Sequence, residues 1–130
     1  MRRVLLPSET RLRTVRIRRG YNCYAMSDLN RLSQLAGDYM REHRFQKGDL
    51  VTWKPGLRNR KMPDYGEPMV VVEVLEQPVF DQTADSGSPY FREPLTLRCL
   101  LVDEDGDALV FYYDARRLMP YGDYRSSVAN

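Results

Sequence analysis

The hydrophobic period of the chain changes at Phe45, and that change limits which elements it can build. Before it, Leu29, Leu32, Leu35 and Ala36, then Tyr39 and Met40, recur at three- and four-residue spacing, which draws one apolar stripe along a helix. Ser27 can cap that helix with its hydroxyl, Asp28 suits the positive end of the helix dipole, and His43 and Arg44 suit the negative end. A helix is therefore expected from Ser27 to about residue 43. Gly37 inside it costs ~1 kcal/mol relative to alanine, and close packing against a neighbour is the expected reason for it.

After Phe45 the period is two. Residues 50–54 read as a strand with Val51 and Trp53 on one face, and residues 69–76 as a second with Val70, Val72 and Val74 aligned. Residues 94–103 make a third, with Leu95, Leu97, Cys99 and Leu101 on one side, and residues 108–114 a fourth, rich in β-branched and aromatic side chains. Between these two, Asp103-Glu104-Asp105-Gly106-Asp107 predicts a tight hairpin, because Asp-Gly supplies the positive φ of such turns. Leu118 and Met119 before Pro120 allow a short fifth strand. Short antiparallel strands of this number favour closure into a small barrel, which removes the edges that an open sheet leaves unpaired.

The run Phe45-Gln46-Lys47-Gly48-Asp49-Leu50-Val51, a long loop, a valine-rich strand ending at Glu76, and Asp114-Ala115-Arg116-Arg117-Leu118-Met119-Pro120 together resemble the SH3-like barrels of the KOW and Tudor type. The resemblance covers about residues 45–121. It implies a Gly-Asp turn opening the first strand and a short helical turn before the last. Trp53-Lys54-Pro55-Gly56-Leu57-Arg58-Asn59 and Gly87-Ser88-Pro89-Tyr90-Phe91-Arg92-Glu93-Pro94 also resemble small uncharacterised proteins of bacteria, prophages and phages. The chain departs from the minimal barrel in its long loop at residues 77–93 and in the helix and arm that precede it. The expected fold is mainly β (α+β): an SH3-like antiparallel β-barrel of about five strands, preceded by an amphipathic helix and a basic arm. Its expected division is an arginine-rich arm at 1–20, the helix region at 21–44, the barrel at 45–121 and a tail at 122–130. The helix stripe is expected to pack on the barrel, or to form a partner or homodimer interface.

Charge is segregated along this chain. Residues 1–20 hold seven arginines against Glu9, a net +6, whereas residues 45–130 carry a net −4, so the overall +2 averages a bipolar molecule. Local field, rather than total charge, steers association. Within the arm, Val15 and Ile17 share one face of a hypothetical strand and Arg16 and Arg18 the other; an edge strand and a loose basic tail are both open to it.

Several classes of function find no support in the residues. Apolar runs such as residues 69–72 are far too short to cross a bilayer, and Pro7, Ser8 and Glu9 interrupt the start of any secretory segment, so a cytoplasmic location and no membrane partner are expected. Cys23 and Cys99 are expected to be reduced. Two cysteines 76 positions apart and one histidine match no zinc spacing, a catalytic triad would depend on His43 reaching a nucleophile whereas helix capping or surface solvation is expected for it, and the glycines form no phosphate loop. The acidic residues 103–107 lack the EF-hand pattern and are expected to be solvated. No catalytic residue, metal or cofactor is expected.

Binding has more to stand on. Lys54, Arg58, Arg60 and Lys61 lie in one loop without an acidic neighbour, and Tyr65 and Tyr90 are the aromatic residues expected to act beside them. Cations interleaved with exposed rings hold phosphates and stack bases. Arg11, Arg13, Arg16, Arg18 and Arg19 of the arm would add further phosphate contacts. The expected function is a non-enzymatic binding module that recognises nucleic acid or a nucleoprotein through the arm and the loop. The alternative is a phage- or prophage-derived inhibitor or adaptor docking on an acidic protein surface of a bacterial complex, since arginine also pairs with carboxylates at protein interfaces.

Overall fold

A computed structural model describes residues 25–128 of this chain. Two compact units divide it between Asp38 and Tyr39. Helix α1, Met26–Met40, makes up the described part of the first unit and ends just inside the second. It starts one residue before the expected cap: the amides of Asp28 and Leu29 both donate to the carbonyl of Ala25, which places Ser27 within the first turn. No residue of α1 is buried, and Leu29, Leu32 and Met40 of the stripe are exposed.

The second unit is a five-stranded antiparallel sheet with short helical elements, so the described chain is mainly β, a small α+β fold. Its strands are β1 (Leu50–Trp53), β2 (Met69–Val79), β3 (Leu95–Val102), β4 (Ala108–Tyr113) and β5 (Leu118–Pro120). They lie in the order β4-β3-β2-β1-β5. A 3-10 turn, Ala115–Arg117, connects β4 to β5, and a second helix, α2 (Tyr121–Val128), follows directly and lies against β1 and β5. A tail is expected at 122–130, and the helix differs from that expectation because Gly122 and two serines give it only weak periodicity.

Glycine at position 48 sets the entry to the sheet. Its φ of +97° makes the tight turn in which the Asp49 amide donates to the Gln46 carbonyl and the Asp49 carboxylate accepts from the Gln46 amide. The turn is then joined to β2 by the Gly48 amide donating to Val71 and the Val71 amide to Asp49.

Alternation on β1, β2 and β3 builds the core: Val51, Trp53, Met69, Val71, Leu97, Cys99 and Leu101 pack with Tyr113 and Leu118. On β2 the buried residues are Met69 and Val71, not the Val70, Val72 and Val74 set that simple alternation aligns. Register explains the later part of that strand, since Val71 pairs with Cys99 but Glu73 with Arg98, leaving Val72 as an extra residue in a bulge. Trp53 and Tyr113 meet edge-on with ring centres 5.6 Å apart. Their polar atoms reach consecutive carbonyls of the loop after β1: Trp53 Nε1 donates to Pro63 at 2.7 Å and the Tyr113 hydroxyl to Met62 at 3.0 Å. The loop is thereby tied to the core rather than left free.

Replacement of Trp53 by phenylalanine removes the Nε1 donor and strands a buried carbonyl, so a loss of about 2–3 kcal/mol is expected. Urea unfolding followed by far-UV circular dichroism measures it, since Trp53 is the sole tryptophan.

Candidate binding surface

Three segments distant in sequence meet at one carboxylate. The Glu93 side chain is 5% exposed and accepts from Asn59 Nδ2 at 2.6 Å, Arg60 Nη2 at 2.7 Å and Arg117 Nε at 3.1 Å. Arg117 donates again to the Leu57 carbonyl, Arg60 lies 5.0 Å from the centre of the Tyr90 ring, and the Tyr90 hydroxyl donates to the Asn59 carbonyl. Each bond to the carboxylate is charge-assisted or made with a charged acceptor, which makes the set strong where water is excluded. Its consequence is to hold the basic loop down against residues 90–93 and the 3-10 turn.

Asp114 forms a second such point. Its side chain is 1% exposed, accepts the Arg116 amide as the cap of the 3-10 turn, and pairs with Arg116 Nε and Nη2 at 3.2 and 3.1 Å. The guanidinium groups of Arg116 and Arg117 lie 4.5 and 5.3 Å from the Tyr39 ring centre. Burial, followed by the charge of Asp114, pushes the Tyr39 hydroxyl above its usual pKa and keeps it protonated.

The expected binding residues therefore have different fates. Lys54 is buried and donates through Nζ to the Arg41 carbonyl at 2.6 Å. Arg58 donates to the Arg60 and Lys61 carbonyls, pairs with Asp64 at 3.1 Å, and lies 5.7 Å from the ring centre of the exposed Tyr65. Arg60 is held by Glu93 and Tyr90, and Tyr90 is half-buried. Lys61 is exposed. The structure brings two of these cations against the two tyrosines, Arg58 with Tyr65 and Arg60 with Tyr90, but as intramolecular stacks. Arg11, Arg13, Arg16, Arg18 and Arg19 lie outside the described residues.

Other chemistry-bearing groups are equally committed. Burial pushes the Cys99 thiol up to about 12, so it is protonated and unreactive at neutral pH. His43 borders a cavity of about 280 Å³ with Thr96 and Asp114, and burial, then the nearby Lys54 and Arg41, lower its pKa, so its imidazole is neutral at pH 7. Asp103 spends one carboxylate oxygen on the amides of Asp105 and Asp107, each at 2.9 Å, which shapes the turn before β4.

An exposed apolar surface lies at β4, the terminal strand of the sheet order. Ala108-Leu109-Val110-Phe111-Tyr112-Tyr113 carries no charge, no proline and no bulge, although charges and prolines usually blunt such an edge. Val110, Phe111 and Tyr112 are 39–42% exposed, and neighbouring Val102 on β3 is 64% exposed. A cavity of about 440 Å³ at the far end of β4 is lined by Met62, Leu95, Phe111, Tyr112 and Tyr113, with Arg60 and Lys61 beside them. Residues 108–114 are expected from the sequence only as a strand; the signal for this surface is six consecutive apolar residues where a half-exposed strand should alternate.

Comparison with protein-family models, with curated proteins and with solved structures gives no significant match to this chain.

Two outcomes test this account of the polar groups. Exchange of Glu93 for alanine leaves Arg60 and Arg117 without their shared partner, and an equilibrium unfolding loss of about 3 kcal/mol is expected; both guanidinium groups keep some contact with water, which places the cost at the low end for a broken buried pair. In a Cys23→Ser background, Cys99 should react with a chromogenic disulfide reagent at pH 8 only at the rate of unfolding, and immediate labelling in native buffer would contradict its burial.

Proposed function

We propose that this chain is a non-enzymatic binding module whose β-rich unit is an SH3-like barrel open at β4, the terminal strand of its sheet, and whose β4 surface docks a protein partner. The fold part of the reading is supported by the pairing of β1 with both β2 and β5, by the Gly48 turn that opens β1, and by the 3-10 turn that delivers β5. One observation carries the docking part: the cations of residues 54–60 are engaged within the fold, while the exposed surface at β4 is apolar and aromatic. Apolar and aromatic side chains anchor protein interfaces, whereas phosphate binding needs cations left free to pair. The net −4 of residues 45–130 also opposes a polyanion at this unit.

The +6 of residues 1–20 favours a second reading, in which nucleic acid or a nucleoprotein is bound through Arg11, Arg13, Arg16, Arg18 and Arg19. A phage- or prophage-derived adaptor docking on a bacterial complex is the form of the leading reading that agrees with the resemblance of the two loop motifs.

Affinity isolation of the full-length tagged chain from bacterial cells, with and without nuclease, separates the readings. The leading one expects a stoichiometric protein that survives digestion and is lost from a Phe111→Ser variant. Loss of the partner on digestion, together with binding to fluorescent RNA or DNA that disappears when the five arm arginines are changed to glutamine, would replace it with the second. Five phosphate contacts would then give a slope near −4.5 in log K against log salt on duplex DNA, from about −0.9 per contact.

A further inference from the structure

We infer that β4 is extended by a peptide strand of the partner, which adds antiparallel to its free edge with basic residues at the peptide's C-terminal end. This rests on the protein-docking reading and specifies how the partner is held. Among the described residues β4 pairs with β3 alone, through the six partners from Leu97–Tyr113 to Val102–Ala108. Unpaired among the described residues, its other edge offers backbone donors and acceptors to an extended chain, the recognition mode in which main-chain bonds give affinity and alternate side chains give specificity.

The two ends of β4 differ, and the difference sets the direction and composition of the incoming strand. Ala108 follows the turn that holds Asp103, Glu104, Asp105 and Asp107, where among the described residues only the Asp103 side chain is hydrogen-bonded, to backbone amides. Tyr113 lies at the cavity of about 440 Å³, which is lined by Met62, Leu95 and three aromatic residues together with Arg60, Lys61 and Asp81, and has enough room for one large side chain. All pairings in this sheet are antiparallel. A strand continuing that pattern begins beside Tyr113 and ends beside Ala108. Its first part meets the aromatic cavity and takes a large apolar residue there; its last part meets four carboxylates and takes lysine or arginine. Between them, alternate residues face Val110 and Tyr112 on the outer side of the sheet. Charge complementarity thus identifies the occupant as an extended segment that is apolar at the start and basic at the end.

The test uses the intact chain and a fluorescent peptide with a phenylalanine at its second position, alternating valine and threonine, and two lysines at its C-terminus. Saturable binding is expected, weakened about tenfold or more by Val110→Lys, which places a charge on the edge, and by Asp105→Lys, and unchanged by Val74→Lys on β2. A peptide with the lysines moved to the N-terminus should bind more weakly. Because only alternate amides of an added strand face the edge, N-methylation of one alternating set should abolish binding while the other set is tolerated, a parity that needs no protein variant. The inference is overturned by an absence of binding to the intact chain, by equal tolerance of both N-methylated sets, by preference for the reversed charge order, or by a β4-edged dimer that sedimentation detects and Val110→Lys dissociates. If the peptide fails while a nuclease-resistant partner is still lost from the Phe111→Ser variant, the docking reading stands and strand addition falls.

Discussion

The buried carboxylate of Glu93 is the interaction on which the surface of the β unit depends. Taking a charge out of water is costly unless it is paired and its remaining lone pairs are filled, and Asn59, Arg60 and Arg117 meet that demand from three directions. Because two of those donors come from the loop after β1 and one from the 3-10 turn before β5, the same carboxylate fixes the position of both connections. The carbonyls of Met62 and Pro63, held by Tyr113 and Trp53, pin the loop's other half to the core. A fifteen-residue connection between Lys54 and Pro68 is thus ordered by a few side chains reaching from strands and distant loops.

That arrangement reverses the meaning of a charge pattern. Counted along the chain, Lys54, Arg58, Arg60 and Lys61 form a basic loop with no acid inside it. In three dimensions Arg60 meets a carboxylate 33 residues away, Lys54 meets a backbone carbonyl, and Arg58 closes on its own loop and Asp64. Local composition could not reveal this, since the decisive partner lies beyond a long loop and next to a proline. Glu67, in the loop after β1, and Glu76, on β2, offer the same composition signal and remain exposed.

Secondary structure was more legible, for a physical reason. Side chains on β1, β3 and β4 alternate or cluster strongly enough that each strand falls within about two residues of the expectation, and the Gly48 and Gly106 turns carry the positive φ that glycine alone adopts readily. The departures arise where tertiary contacts override local pattern. The bulge at Val72 shifts which valines of β2 face the core, and α2 forms against β1 and β5 despite Gly122 and a weak apolar stripe. The start of α1 moved because a backbone carbonyl, that of Ala25, receives the first amides in place of the Ser27 hydroxyl.

What distinguishes a functional surface here is which charges the fold has already used. Lys54, Arg58 and Arg60 of the loop are engaged by intramolecular partners, while in the turn before β4 only Asp103 serves the backbone and the carboxylates of Glu104, Asp105 and Asp107 are exposed. Beside them runs a strand with no charge of its own, at an edge that proteins ordinarily protect with one. A strand of that composition is an aggregation hazard if any apolar chain can pair with it, and an acidic turn at one end narrows the choice by penalising acidic or neutral ends relative to basic ones. Selectivity of this kind does not require a deep pocket. It requires an edge that supplies backbone bonds to any extended chain, and an asymmetric pair of ends that makes one direction and one charge order cheaper than the rest.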